Sequence, residues 1–548
     1  MERRIYPAMA ALLAALAGCG GSGGDDAGES PAPLDAAAAC QALASFSVPA
    51  SGIGLPTRGA SISSATLVPG TDALPEHCRV NGSIASVDFT AASINFSAAL
   101  PTNWNRKLMH HGGGGWDGTV VNPTIRGGGQ HSGPTSLQRG YAVFGSDSGH
   151  NDPTGVNASF ALNAEQLQNF AGDQLKKTRD AVMALVLKRY GTAPTKTYFQ
   201  GGSEGGRESI TAILQYPNDY DGVITLYPVY NWFSSFYKWH MIGRAMRANN
   251  GAGHLSPAKL GTLRAAELAA CDAQDGVADG LISNVKACSF DPQVLLCPGG
   301  VDQGDSCLSQ AQLATVQLMN SSATLPYPLA NGNTYVPRYY AGTEWINQPG
   351  TSQLGLSPTY TNGLDRAGLG IIPLFGDSLV RYVIRQDAGT DTMGFDPMQP
   401  GSALARVQQA SAMLDKTSTD ISAFLARGGK WLMAHGLADE LPLADGTEAL
   451  YRQLVARYGQ GPLDAGLRFY TIPGYGHGHG AFMATGGMPT LDALEAWVEQ
   501  GVAPGNLVVT DTNPGANRTR PMCVFPGWPK YSGSGDVNAA ASYTCVTD

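Results

Sequence analysis

Ser203 stands in Thr197-Tyr198-Phe199-Gln200-Gly201-Gly202-Ser203-Glu204-Gly205-Gly206-Arg207, a G-x-S-x-G run. An apolar, strand-like stretch enters it and a helix-like segment from Glu208 to Tyr216 leaves it, the arrangement of a nucleophile elbow. The turn is so tight that side chains two residues before or after the serine would collide with neighbouring backbone, hence the glycines. A serine alcohol is inert without a base, and a chain with 70 glycines meets this pattern by chance. The other members of a triad must therefore come from elsewhere.

Hydrolases with such an elbow supply their acid and base later in the chain, in the order Ser, Asp or Glu, His. A strand-like run at Lys430-Trp431-Leu432-Met433-Ala434 leads into His435-Gly436-Leu437-Ala438-Asp439-Glu440, which offers Asp439 as the acid. A second, Leu467 to Ile472, leads into Pro473-Gly474-Tyr475-Gly476-His477-Gly478-His479-Gly480. Either His477 or His479 could take the serine proton, and chemistry alone leaves both open. The developing oxyanion needs preorganised donors. The backbone N–H of Glu204 and the glycines of His111-Gly112-Gly113-Gly114-Gly115, with Gly113 and Gly114 as donors, are expected to supply them.

A second constellation is Cys271-Asp272-Ala273-Gln274-Asp275-Gly276-Val277-Ala278-Asp279-Gly280-Leu281. Its carboxylates and glycines offer hard oxygen ligands suited to a structural Ca²⁺: Asp272, Asp275 and Asp279 through side chains, Val277 and Leu281 through carbonyls. It is not an EF-hand, because the terminal bidentate glutamate is missing. A solvated acidic turn is the bland alternative.

These loops need a scaffold. Strands are expected at Lys107 to His111, Tyr141 to Ser146, Thr197 to Gln200 and Gly222 to Leu226. A helical pattern runs from Ala164 to Tyr190, giving the alternation of a mostly parallel sheet covered on both faces. The pattern stops near Val229 and resumes with a helix at Ile421 to Arg427. Residues 36–228 and 419–548 therefore read as one α/β-hydrolase catalytic domain, and 229–418 as an inserted lid carrying the calcium loop. Within the lid, Trp232, Phe233, Phe236, Tyr237 and Trp239 are candidates for an aromatic pocket, and Arg381 and Arg385 for pairing a polar substituent. Core packing and solvent exposure are their commoner fates.

With 548 residues and a net charge of -9, the chain has room for a large core and no basic footprint for nucleic acid. Arg3 and Arg4 precede a short apolar stretch, Ala8 to Leu16, and then Leu16-Ala17-Gly18-Cys19. This reads as a signal peptide (1–18) ending in a lipobox, with Cys19 lipidated and 19–35 a flexible tether. The membrane would be met only through that anchor, and the protein would be exported. Eight cysteines remain, clustered as sequence neighbours, so four short bridges are expected in an oxidising compartment: Cys40 with Cys78, Cys271 with Cys288, Cys297 with Cys307, and Cys523 with Cys545.

From Cys40 to Cys545 the chain resembles the tannase and feruloyl esterase family, which includes mono(2-hydroxyethyl) terephthalate hydrolase. The resemblance is carried by Gly140-Tyr141-Ala142-Val143 with Asp147-Ser148-Gly149-His150, the elbow, Tyr216 to Ile224, the loop after Cys271, Gly428-Gly429-Lys430 with His435 to Asp439, and Pro473-Gly474 with His477. It implies an α/β-hydrolase core, a Ca²⁺-bearing lid and hydrolysis of small-molecule esters of aromatic acids. It also implies that His477 is the base. Two readings stand beside this: an aliphatic or polyester-oligomer esterase, and a non-catalytic calcium-stabilised binding protein. One departure stands out. The family bonds a cysteine before the serine to one after the histidine, where this chain has Gly202 and Gly478. Their Cα atoms are expected within the disulfide-compatible range of about 4.4 to 6.8 Å.

Overall fold

The computed structural model describes residues 35–128, 131–360 and 365–547. The expected signal peptide, Cys19 and the tether as far as residue 34 lie outside them. No helix among the described residues is long and apolar enough to cross a membrane.

A ten-stranded sheet organises the chain. Its strands are β1 (Ser47–Val48), β2 (Ala60–Val68), β3 (His77–Ile84), β4 (Ile94–Pro101), β5 (Lys107–His111), β6 (Ala142–Ser146), β7 (Lys196–Gly202), β8 (Gly222–Leu226), β9 (Lys430–Gly436) and β10 (Leu467–Ile472). The order is β1-β2-β3-β4-β6-β5-β7-β8-β9-β10. From β6 to β10 the pairings are parallel, and from β1 through β4 to β6 antiparallel. Adjacent residues along the central strands face opposite ways. Phe199, Val223, Met433 and Phe469 pack under the elbow helix and the helix Ala444–Tyr458. Tyr198, Ile224, Leu432 and Tyr470 pack under Thr490–Gln500 on the other face. Each such side chain removed from water contributes about 1.5–3 kcal/mol, which is why these strands read as continuous apolar runs.

The four central strands lie where the sequence placed them, within a residue or two at the ends. Two helices differ. The elbow helix begins at Glu204, not Glu208, because Gly205 and Gly206 lie in its first turn. There a Cβ on Gly206 would stand 2.7 Å from Leu226 O, so close packing on β8 rather than propensity selects glycine. The Ala164 to Tyr190 pattern is interrupted by a π turn at Asn169–Asp173, where Gly172 takes φ 146°. Its missing side chain makes room for Thr211 of the elbow helix, 2.6 Å from where a Cβ would sit.

β8 and β9 are neighbours in the sheet although about two hundred residues separate them, so that span is an insertion. It is not a separate body. From Ala36 onward the chain forms one compact unit, and Trp232, Phe236, Phe375 and Val407 of the insertion share one core with Trp116, Phe160 and Phe170. All four expected disulfides are present, with Cα–Cα distances of 5.5, 5.3, 5.0 and 5.7 Å in chain order.

Candidate active site

Parallel strands gather loops at their carboxyl ends. β7 delivers Ser203, β9 delivers Asp439, β10 delivers His477, and β5 delivers the glycine loop after His111. Ser203 takes φ 59° and ψ -119°, a conformation that costs a non-glycine residue about 1–3 kcal/mol. The surroundings enforce it: Ser203 N–H donates to Leu226 O at 3.1 Å, and Arg207 N–H to Ser203 O at 3.2 Å. A Cβ on Gly201 would lie 2.1 Å from Gly205 O, so the elbow closes only over glycine.

Asp439 is fully buried, and its Oδ2 meets His477 Nδ1 at 3.1 Å. Its Oδ1 accepts the Leu441 N–H at 2.8 Å. His435 lies 3.6 Å away but does not compete for the charge. Burial pushes its pKa down to about 3, and its nitrogens are held by Thr447 Oγ1 and Pro442 O. Burial disfavours the His477 imidazolium, but the Asp439 and Glu440 carboxylates outweigh that and leave its pKa above the ordinary value. With Nδ1–H directed at Asp439, Nε2 is the nitrogen free to accept a proton.

His479 bonds a different carboxylate: its Nε2 meets Glu440 Oε1 at 2.9 Å. Glu440 is fully buried, and its Oε2 accepts the His477 backbone N–H at 3.1 Å. The neighbouring acids thus hold the two histidines separately, with only His477 on Asp439. Sequence reading passed over Glu440, although it sits directly beside Asp439.

Ser203, His477 and His479 line one cleft of about 330 Å³, together with Gly114, Gly115 and Glu440. Ile371, Phe375 and Leu441 form an apolar wall; Asn347, Gln353 and Arg366 add polar groups. A larger cavity of about 800 Å³ opens beside Tyr335 and Arg457, and none of these groups reaches it.

Glu204 opens the elbow helix, so its N–H has no intrahelical partner. Gly114 borders the cleft, and a Cβ there would meet nothing within 4 Å. Gly113 must be withdrawn as an oxyanion donor, because its N–H is committed to buried Glu208 Oε2 at 2.8 Å.

The insertion's aromatics are core. Trp232, Phe233, Phe236, Tyr237 and Trp239 are at most 2 % exposed, and none lines the cleft. Arg381 is tied to Asp377 and to the carbonyls of Ala388 and Thr390, and Arg385 lies over the Phe395 ring. The arginine that does border the cleft is Arg366, which nothing in its sequence surroundings singled out.

At Gly202 a Cβ would come within 2.7 Å of the Tyr227 ring, which stands edge-on to His477 with ring centres 4.7 Å apart. A Cβ on Gly478 would meet nothing within 4 Å. An aromatic ring fills the floor beneath the histidine, and a side chain at 202 would displace it.

In the acidic loop, Asp272 accepts the N–H groups of Asp279 and Gly280, and Asp279 pairs with Arg520. Burial raises the Asp275 pKa to about 6, with the Asp279 and Asp272 charges adding to the rise. Among the described residues, the acidic group with one oxygen each within 4.8 Å is not this trio but Asp117, Glu204 and Glu208. The loop still has more carboxylates than facing cations, a donor set that suits a hard cation.

The family model for tannase and feruloyl esterase matches residues 78–546. The chain belongs to the tannase and feruloyl esterase family. Among this tannase-family chain's relatives, an uncharacterized esterase of Agrobacterium fabrum is 37% identical over 532 residues, covering 94% of each chain. The mono(2-hydroxyethyl) terephthalate hydrolase of Piscinibacter sakaiensis is 30% identical over 86% of this chain and 85% of its own. A solved structure of feruloyl esterase B from Aspergillus oryzae superposes with a TM-score of 0.75 at 22% identity, over 93% of this chain and all of that one, which establishes the shared fold. The tannase-family chain is accordingly a carboxylic ester hydrolase on an α/β-hydrolase scaffold.

Proposed function

We propose that the protein hydrolyses esters of aromatic carboxylic acids through an acyl-enzyme on Ser203. The observation that carries this reading is the Asp439–His477 hydrogen bond, with His477 and the strained Ser203 lining a single cleft. His477 Nε2 takes the serine proton during attack and returns it to the leaving alcohol. Asp439 holds the tautomer and stabilises the imidazolium. The N–H groups of Glu204 and Gly114 receive the oxyanion. Phe375, Ile371 and Leu441 offer an apolar wall for an aromatic ring, and Arg366, Gln353 and Asn347 offer partners for its polar substituents.

A panel of gallate, ferulate, terephthalate monoester and short aliphatic esters tests the assignment. The aromatic esters should have the higher kcat/KM. Preference for the aliphatic set would favour the polyester-oligomer reading, which the terephthalate-ester hydrolase among the relatives also makes worth testing.

Asp272, Asp275 and Asp279 would hold Ca²⁺ with the carbonyls of Val277 and Leu281, and the ion would neutralise a loop tied down by the Cys271–Cys288 bridge. Its role is structural, so chelation with verified metal removal should lower Tm while the kcat of the protein still folded stays near wild type. An unchanged Tm would refute the site. The N-terminal reading, with export and a lipid on Cys19, is part of the same proposal; radiolabelled fatty acid should enter the wild type and not Cys19→Ala.

A further inference from the structure

The proposed chemistry uses the backbone N–H of Glu204 but not the side chains of Glu204, Arg207 or Glu208, although all three are buried in the first turns of the elbow helix. Glu204 has its counter-charge in Arg207, whose Nε donates to it at 2.8 Å. Glu208 has no such partner: among the described residues it forms no ion pair. Instead its Oε2 accepts the Gly113 N–H at 2.8 Å and its Oε1 accepts from Gln174 Nε2 at 2.5 Å. Across from it lies Asp117, whose Oδ2 accepts from Ser148 Oγ at 2.8 Å while its Oδ1, equally buried, has no partner among the described residues.

The glycine loop is shaped around these two acids. A Cβ on Gly112 would lie 2.7 Å from Glu208 Oε2, and one on Gly113 would lie 2.0 Å from Asp117 Oδ1. Only Gly114 faces open space. The loop is further pinned by Gly112 N–H to Gln200 O at 3.0 Å, Gly205 N–H to Gly113 O at 3.2 Å, and Asp117 N–H to Gly114 O at 2.9 Å. Gly112 and Gly113 thus make room for carboxyl groups beneath the loop, and Gly114 leaves room for substrate above it.

Asp117, Glu204 and Glu208 bring oxygens within 4.8 Å of one another, and among the described residues Arg207 is the one cation in contact with any of them. Carboxylates packed this closely in a dry pocket do not all ionise; one keeps its proton. We propose that Glu208 is a positioning residue that works as a neutral carboxylic acid, accepting the Gly113 N–H and giving its own proton to the unpartnered Asp117 Oδ1, so that the loop is locked with Gly114 N–H toward the cleft. The proposal rests on the reading of Gly114 and Glu204 as oxyanion donors. The surrounding charges agree with it. Burial, then Asp117 and Glu204, hold the Glu208 carboxyl well above the ordinary range, outweighing Arg207. Burial raises Asp117 as well, with the Ser148 hydroxyl and Arg207 opposing the rise and Asp147 adding to it. Lys416, whose Nζ donates to Met413 O, adds a smaller favourable charge at Glu204.

The test compares Glu208→Gln and Glu208→Ala in the full chain. Glutamine keeps an oxygen for Gly113 N–H and an N–H for Asp117, and the Gln174 amide, which donates to Glu208 in the wild type, can turn to present its oxygen instead, so kcat on a 4-nitrophenyl ester should stay within about tenfold of wild type. Alanine frees the loop, and kcat should fall about 10²-fold with KM little changed, the cost of one misplaced oxyanion donor. Affinity for a trifluoromethyl ketone should fall in parallel. Wild-type kcat should also decline at alkaline pH as Glu208 ionises, a decline that Glu208→Gln lacks. A folded Glu208→Ala with wild-type kcat overturns the proposal, as does a Glu208→Gln as impaired as alanine. Should alanine fail to fold, a Glu208→Gln that retains the alkaline decline overturns it. A wild type that neither turns over the ester nor labels with a fluorophosphonate refutes the serine-esterase reading itself, which keeps the two failures distinct.

Discussion

Ser203→Ala should lower kcat on a 4-nitrophenyl ester by about 10⁶-fold, the loss typical of a removed serine nucleophile. The substitution deletes one oxygen from a half-buried position, and the strained backbone at Ser203 is set by Leu226 O and the flanking glycines rather than by the side chain. The fold and Tm should therefore be retained, so lost activity reports chemistry. Residual turnover of about 10³ over the uncatalysed rate would persist, because the cleft and the proposed donors at Glu204 and Gly114 remain. Covalent labelling by a fluorophosphonate, measured by intact mass, should disappear with it. Turnover near wild type would require another nucleophile and end the acyl-enzyme reading.

Asp439→Asn should cost about 10⁴-fold in kcat, because an amide stabilises neither the Nδ1–H tautomer nor the imidazolium. The pH profile carries a second, independent signature. As the proposed base, His477 works only when neutral, and the neighbouring carboxylates hold its pKa above the ordinary value of about 6.5. In wild type, kcat/KM should therefore rise with pH through a midpoint above about 6.5. Removing the Asp439 charge should move that midpoint to lower pH, while Glu440, still present, keeps part of the rise. A midpoint that does not move would show that Asp439 is not the carboxylate acting on the base. Glu440→Gln should perturb His479, whose Nε2 it holds, and should also lower the His477 midpoint, by less than Asp439→Asn does.

Much of this site was readable as residue order. Ser203, Asp439 and His477 each follow an apolar run that becomes a central strand, and buried parallel strands advertise themselves by hydrophobicity alone. The cysteine pairs were readable because each bridge spans at most 38 residues of chain. What the residue pattern left open, and at Gly113 misread, was direction. Gly113 and Gly114 are identical in sequence terms, yet one N–H faces Glu208 and the other residue borders the cleft. Chemistry alone left His477 and His479 both open, and the fold separates them: His477 meets Asp439 through Nδ1, His479 meets Glu440 through Nε2. Trp232 and Phe236 look like pocket residues by type, but they fill a core shared with Trp116 and Phe170.

The sequence by itself determined the α/β core, its disulfides, the family, and a serine, acid and histidine in workable order. These are properties of pattern and spacing, which side-chain type and backbone sterics dictate locally. Tertiary structure decided which imidazole meets which carboxylate, that the Gly113 N–H is spent on Glu208, that Tyr227 fills the floor beneath His477, and that three acids and an arginine meet under the glycine loop. Those outcomes depend on the relative placement of strands β5, β7, β9 and β10 to within a few tenths of an ångström. No local pattern encodes that, because it emerges only when distant segments compete for the same volume and the same hydrogen-bond donors.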